Sequence, residues 1–319
     1  MEPPSDEREN TVTVPPPGPH GGDGPAVAAA LGVDPASLLD LSVSLNPFAP
    51  DVRRLALAHL DAVGRYPDPH RATAALAAAI GVDAHRIVLT NGGAEAIALV
   101  ADELGPGWVD EPDFSLYRRH LPTLHAGAPE WRSNPRNPTG ELAPPEATAA
   151  VWDEAFYPLA TGAWTRGDVG AVVVGSLTKV FACPGLRVGY VLAPDAPLAD
   201  RLRARQPRWA VNGLAAALVP ELLERAQLTA WATGIARLRA QLVDVLRAHG
   251  LRPRPSDAPF VLVDQTAGLR ERLAPLGVVV RDCTSFGLPG SARVAVPDAA
   301  GLERLDAALH ALATEEVPA

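Results

Sequence analysis

The chain has 319 residues, 47% of them hydrophobic and 20% charged, and a formal net charge of −9. That length suits two domains or one large domain with an appendage, and the apolar fraction can fill a core. No apolar run reaches the ~18 residues of a membrane helix, an acidic chain lacks the clustered cations that bind nucleic acid, and two distant cysteines, Cys183 and Cys283, fit neither a disulfide framework nor a cysteine zinc site.

Residues 1–19 are Pro-rich and charged without an apolar h-region, so they predict a disordered tail and no signal peptide. A short Ala-rich helix follows over 25–32. LLDLSVSLNPFAP (38–50) reads as extended chain closed by Asn-Pro and Ala-Pro turns. Helices are expected over 51–63 and 70–80, parted by the breaker-rich GRYPDP. RIVLT (86–90) is a strand running into NGG and a helix from Ala94 to Leu104. Residues 105–150 read as irregular. Strands are expected at 151–152, 171–175 and 187–193, then helices over 197–206 and 212–250. The last third gives strands at 259–263, 278–282 and 292–296, with helices near 268–274 and over 299–312. Strands alternating with helices predict an α/β protein with a parallel or mixed central sheet and a smaller α/β domain at the C-terminus.

Among 28 basic residues there is a single lysine, Lys179. Arginine can replace lysine wherever only charge matters, but a guanidinium stays protonated and cannot serve as a nucleophilic amine. Lys179 is therefore a candidate for chemistry, or else a leftover surface lysine. It follows the AVVVG strand in GSLTKVFACPGLRVGY, among hydroxyls (Ser176, Thr178), Arg187 and close-packing glycines. An amine set among these groups suits an anionic cofactor aldehyde, and pyridoxal phosphate is such a molecule. TNGGAEAIAL puts small residues at a strand-to-helix junction, where free N–H groups can face a phosphate; an ordinary tight turn would look the same. Asp153 closes a short apolar run in VWDEAF, on the ligand side of an open α/β sheet. It could keep a pyridine nitrogen protonated, or simply cap a helix.

NPRNPTG (134–140), DEAF (153–156), SLTK (176–179) and GLRVGY (185–190) occur in this order. Together they resemble the fold-type I pyridoxal-phosphate enzymes, the aspartate-aminotransferase-like α/β fold, in the branch of histidinol-phosphate aminotransferases and threonine-phosphate decarboxylases. The resemblance runs from about residue 20 to 312. It implies the cofactor pyridoxal 5'-phosphate, with Lys179 as the Schiff-base lysine and Asp153 at the pyridine nitrogen. It implies that Asn137 donates to the 3-oxygen, and that Ser176, Thr178, Arg187 and the backbone of Gly93, Ala94 and Glu95 hold the phosphate. It implies that Phe114 stacks on the ring. Tyr66 would cross to a neighbouring subunit's phosphate, which implies a homodimer. Arg293 would clamp the substrate carboxylate, and Asn46 joins it as a substrate-binding residue. The implied division is a tail (1–19), an N-terminal segment of the small domain or lid (20–50), a large cofactor-binding domain (51–210), and a connecting helix with the small domain (211–319).

HGGD (20–23), QPRWAVNGLA (206–215) and VRDCTSFGLPGSARVAV (280–296) look like the cobalamin-pathway threonine-phosphate decarboxylases. In that group the N-terminal histidine helps bind the substrate phosphate, which assigns His20. Phe156 stands where many family aminotransferases carry a tyrosine. Two stretches, 115–136 and 141–152, are shorter than in most members, so a strand–helix unit of the large domain is expected to be missing. The resemblance implies decarboxylation of L-threonine O-3-phosphate to aminopropanol phosphate by a cytoplasmic enzyme with a small phosphorylated amino-acid substrate, and no nucleic-acid or membrane partner. The alternatives are an aminotransferase of the histidinol-phosphate kind and a catalytically silent cofactor-binding protein.

Overall fold

The computed structural model describes residues 13–315 and contains two sheets. The strands are β1 (Leu39–Leu41), β2 (Ile87–Thr90), β3 (Trp108–Val109), β4 (Glu130–Ser133), β5 (Val151–Asp153), β6 (Val172–Gly175), β7 (Gly189–Leu192), β8 (Arg252–Pro253), β9 (Phe260–Asp264), β10 (Val278–Asp282) and β11 (Ala292–Ala295). The larger sheet runs β2-β7-β6-β5-β4-β3. Strands β3 to β6 are mutually parallel, and β7 is antiparallel to both β6 and β2. The inner strands β5 and β6 are buried at every position, as expected where helices and loops cover both faces. The smaller sheet runs β1-β10-β11-β9-β8. Strand β1, from the start of the chain, pairs in parallel with β10, so the N-terminal segment completes the C-terminal sheet.

Helix ends follow the local chemistry. The helix His70–Ile80 stops at Gly81, whose φ of 81° suits a residue without Cβ. The helix Gly213–Glu224 starts at Asn212, whose side chain accepts from the Ala215 N–H.

Four expectations need correction. The helix expected over 51–63 is an α-helix at Val52–Leu57 followed by a separate 3-10 segment at Leu60–Gly64. The stretch 212–250 is two helices, Gly213–Glu224 and Leu228–Ala248, because each packs on a different partner: the first on His70–Ile80, the second on Tyr157–Thr161. The stretch 105–150 is less irregular than its prolines imply. It holds β3, a short helix at Leu116–His120, and β4, in which Trp131 and Ser133 are buried while Glu130 and Arg132 are partly exposed. That alternation over four residues is too short to stand out in sequence. Finally, residues 13–19 of the expected tail are docked: Val14 packs near Val27 and Val279, and Arg270 and Arg281 donate to the carbonyls of Pro15, Gly18 and Pro19. Residues 1–12 lie outside the described residues.

The parallel step from β4 to β5 crosses over through residues 134–150, which contain no helix. Arg166 fills the gap. Its Nε donates to Asp168, its Nη1 to the carbonyls of Ala143 and Pro144, and its Nη2 to those of Pro145 and Ala147. The guanidinium also lies 4.9 Å from the centroid of the Trp152 ring. One half-buried cation thus satisfies loop carbonyls that helical hydrogen bonds would otherwise take up.

Candidate active site

Strands β2 and β6 run the same way, since both oppose β7, so the segments leaving β2 to β6 open on one edge of the larger sheet. Asp153 ends β5. Lys179 is carried by the helix Leu177–Val180 just after β6. Asn137 follows β4, Phe114 follows β3, and the helix Gly92–Leu104 begins after β2. A ligand site at the carboxyl ends of the strands is the rule for open α/β sheets. From the smaller sheet, the β10–β11 register places Arg281 opposite Arg293. These groups converge on a cavity of about 370 Å³ lined by Gly93, Phe114, Asn137, Asp153, Lys179 and Arg293, among others.

The wall is strongly cationic. Lys179 is partly buried, and its amine is pushed down to about 8, chiefly by desolvation and then by Arg293 and Arg187, while Asp153 opposes the shift. Arg293 is 6% exposed and pushed down to about 10 by burial. Its Nη1 donates to Asn137 Oδ1 at 2.6 Å and its Nη2 to the Ser42 carbonyl at 3.2 Å, leaving Nε without a partner among the described residues. Arg281, 3% exposed, donates to the carbonyls of Gly18 and Pro19 and to Ser285 Oγ. Neither arginine meets a carboxylate within ion-pair distance among the described residues. Among the described residues Asp153 is the only acidic one lining the cavity, and burial raises its carboxyl. Tyr117 donates to its Oδ2 at 2.9 Å and the Ala155 N–H to its Oδ1 at 3.0 Å, which favours the ionised form. Buried cations without counter-ions are costly, so the pocket is built for anions.

Arg187 borders the start of the helix Gly92–Leu104: a Cβ on Gly92 would collide with its guanidinium, and Gly92 has φ +76°. On Gly189 a Cβ would come within 2.7 Å of the Gly92–Gly93 peptide. The glycines therefore allow a cation and a helix N-terminus to share one corner, a ready anion site.

The model of the family described as aminotransferase class I and II matches residues 131–312. The chain belongs to that family. Its members depend on pyridoxal 5'-phosphate, which is the cofactor of this enzyme. The chain is 30% identical to histidinol-phosphate aminotransferase 1 of Dechloromonas aromatica, over 89% of this chain and 93% of the relative. It is also 30% identical to the threonine-phosphate decarboxylase of Salmonella typhimurium, over 94% and 98%. The histidinol-phosphate aminotransferase of Sinorhizobium meliloti, solved in complex with pyridoxal-5'-phosphate, shares the fold with a TM-score of 0.77 at 18% identity, over 92% of this chain and 95% of that one. The match to the decarboxylase spans 359 aligned positions, more than this chain's 319 residues, so the relative carries residues that are missing here.

Most residues singled out in this class I and II chain meet at the cavity: His20, Gly93, Ala94, Phe114, Asn137, Asp153, Ser176, Thr178, Lys179, Arg187 and Arg293 all line it. Thr178 Oγ1 also donates to the Val188 carbonyl at 3.2 Å. Three residues do not line it. The Glu95 carboxylate turns back to accept from the Asn91 N–H and Gln206 Nε2, capping the helix. Asn46 uses its side chain on the Val180 carbonyl and the Phe48 N–H, and its own N–H donates to the Lys179 carbonyl, so it steadies the lysine's backbone instead of reaching a ligand. Tyr66 is 78% exposed and packs on Trp209, outside the cavity. Arg281 and Tyr117 are absent from the sequence reading. Arg281 reads as one charge in VVVRD, and only the cross-strand register to Arg293 reveals it. Tyr117 stands one turn after Phe114, and that three-residue spacing is the local signal that marks it.

Proposed function

We propose that this pyridoxal-phosphate enzyme decarboxylates L-threonine O-3-phosphate to aminopropanol phosphate, as in cobalamin biosynthesis. The observation that carries the reading is the facing pair Arg281 and Arg293, buried without counter-ions among the described residues, with His20 on the same cavity. Arg187 and the helix start at Gly92 already offer a corner for the cofactor phosphate, so further cations call for a substrate with anions of its own. A carboxylate and a phosphate on one small molecule match that demand.

The residues fit the cofactor. Arg187, Ser176, Thr178 and the Gly93–Ala94 backbone would hold its phosphate, Phe114 its ring face, Asn137 its 3-oxygen, Asp153 its ring nitrogen and Lys179 its aldehyde carbon. When bound, it supplies an electron sink for the bond broken at the substrate Cα. Arg293 takes the substrate carboxylate, while His20 and Arg281 take its phosphate. Fixing both ends sets which Cα bond stands perpendicular to the ring. Loss of carbon dioxide leaves Cα one proton short, and the Lys179 ammonium would supply that proton, since its affinity near pH 8 lets it hold and release one. Phe156 contributes a ring and no hydroxyl to the wall.

The second reading is amine transfer from histidinol phosphate, favoured by an identity to such an aminotransferase equal to that with the decarboxylase. In either case the active form is proposed to be a homodimer. Leu57, Leu60, Val63, Tyr66 and Trp209 are all more than half exposed, an apolar surface suited to a second copy that Tyr66 would enter.

The deciding experiment gives cofactor-loaded protein L-threonine O-3-phosphate with no oxo acid. Release of carbon dioxide and aminopropanol phosphate is expected. Exchange between histidinol phosphate and 2-oxoglutarate, with no gas released, would establish the second reading. Turnover of neither would mark a silent binder.

A further inference from the structure

Behind the cavity lies a buried carboxylate that the chemistry above does not use. Asp113, 1% exposed, stands in the loop after β3, next to Phe114. It has no ion-pair partner among the described residues: Arg136, which acts on it through its field, is paired with Asp110 at 2.9 Å. Burial pushes the Asp113 carboxyl up to about 7. A carboxylate this deep needs donors, and it has three. The Phe114 N–H donates to Oδ1 at 2.6 Å, the Ser133 N–H to Oδ2 at 3.1 Å, and the Ser133 hydroxyl to Oδ1. Ser133 Oγ in turn accepts from the Asn137 N–H at 2.8 Å, and Asn137 Oδ1 receives Arg293. One acidic side chain is thus tied directly to Phe114 and, through a single hydroxyl, to Asn137.

The placement has a physical reason. Phe114 and Asn137 leave neighbouring parallel strands on loops. The loop bearing Asn137 runs from 134 to 150 without a helix to brace it. Two loops facing one slot need a tether, and short charge-assisted hydrogen bonds in a dry interior are stiff. We propose that Asp113 is a positioning residue that sets the width of the cofactor-ring slot, holding Phe114 and, through Ser133, Asn137 in mutual register. This rests on the assignment of Phe114 and Asn137 to that slot.

The test is titration of the apo chain with pyridoxal phosphate, followed by visible absorbance and by the circular dichroism induced in the bound chromophore, beside thermal unfolding of each apo variant. Asp113→Asn, nearly isosteric, and Ser133→Ala are each expected to weaken binding by ~10-fold and to diminish the induced dichroism. Acting on one chain of bonds, the double variant should bind about as weakly as the weaker single. Ser133→Thr, which keeps the hydroxyl, should restore most of the signal. Wild-type affinity and dichroism in both single variants, with only a lower unfolding midpoint, would overturn the proposal and leave Asp113 a packing residue. If Asp113→Asn does not fold, Ser133→Ala decides alone. Phe114→Ala and Asn137→Ala are the controls: if they too bind like wild type, the slot assignment has failed and the proposal falls with it.

Discussion

Lys179 shows how surroundings remake a side chain. An exposed lysine is almost wholly protonated at neutral pH; this one is pushed down to about 8 because burial strips part of its hydration and two guanidiniums act on it. The sign follows directly. Only the free amine attacks an aldehyde, its fraction grows as pH rises, and growth ends once pH passes the group's own value. Attachment of pyridoxal phosphate to the apo chain should therefore quicken by about tenfold between pH 7 and 9 and then flatten, read by stopped-flow absorbance. An ordinary lysine would still be accelerating at pH 9. Lys179→Arg keeps the charge and removes the nucleophile; borohydride should fix no label to it, and turnover should vanish. Retained labelling would remove Lys179 from its role. The same reasoning made the residue legible beforehand, since a lone lysine in an arginine-rich chain marks a place where charge is not the requirement. Arg281 was not legible in that way, because arginines are common here and nothing local sets one apart.

The strands and helices with long, regular patterns were readable, and those held by their neighbours were not. AVVVG gives β6 because four consecutive apolar residues, three of them β-branched valines, suit a strand covered on both faces. β4 escaped because its pattern spans four residues between prolines, and pairing with β3 and β5 is what makes it a strand. The connection to β5 contains no helix, and what holds it was not visible in the sequence. Arg166 reads as a charge in a loop, whereas in the fold it binds four carbonyls of residues 143–147. Arg166→Ala should cost about 3 kcal/mol in denaturant unfolding, because those acceptors and Asp168 lose a charged donor at once. A cost below about 0.5 kcal/mol, typical of surface changes, would show that the loop braces itself.

Across the whole molecule one apolar cluster joins the two sheets: Leu41, Trp152, Phe181, Leu242, Val261 and Val294 belong to it, with the helix Leu228–Ala248 running between. Arg293 on the smaller sheet can reach Asn137 on the larger because that shared core holds both sheets around the cavity. The exposed apolar surface around Tyr66 and Trp209 makes a further prediction. Sedimentation should report a dimer, and Leu60→Asp with Val63→Asp should yield a monomer that keeps its fold by circular dichroism; a wild-type monomer would end the homodimer proposal. What the amino-acid order determined unaided was the family and the candidate site: a unique amine, a carboxylate closing a strand, glycines at a helix start, four motifs in series. Each depends on residue type and near neighbours, which a linear reading retains. What waited for the folded chain was every pairing across distance, namely Arg281 against Arg293, Tyr117 on Asp153, Asp113 bound to Ser133, and Asn46 turned to the lysine's backbone. Such contacts are fixed by strand register and by which loop lies over which, and neither is written in the spacing of residues along the chain.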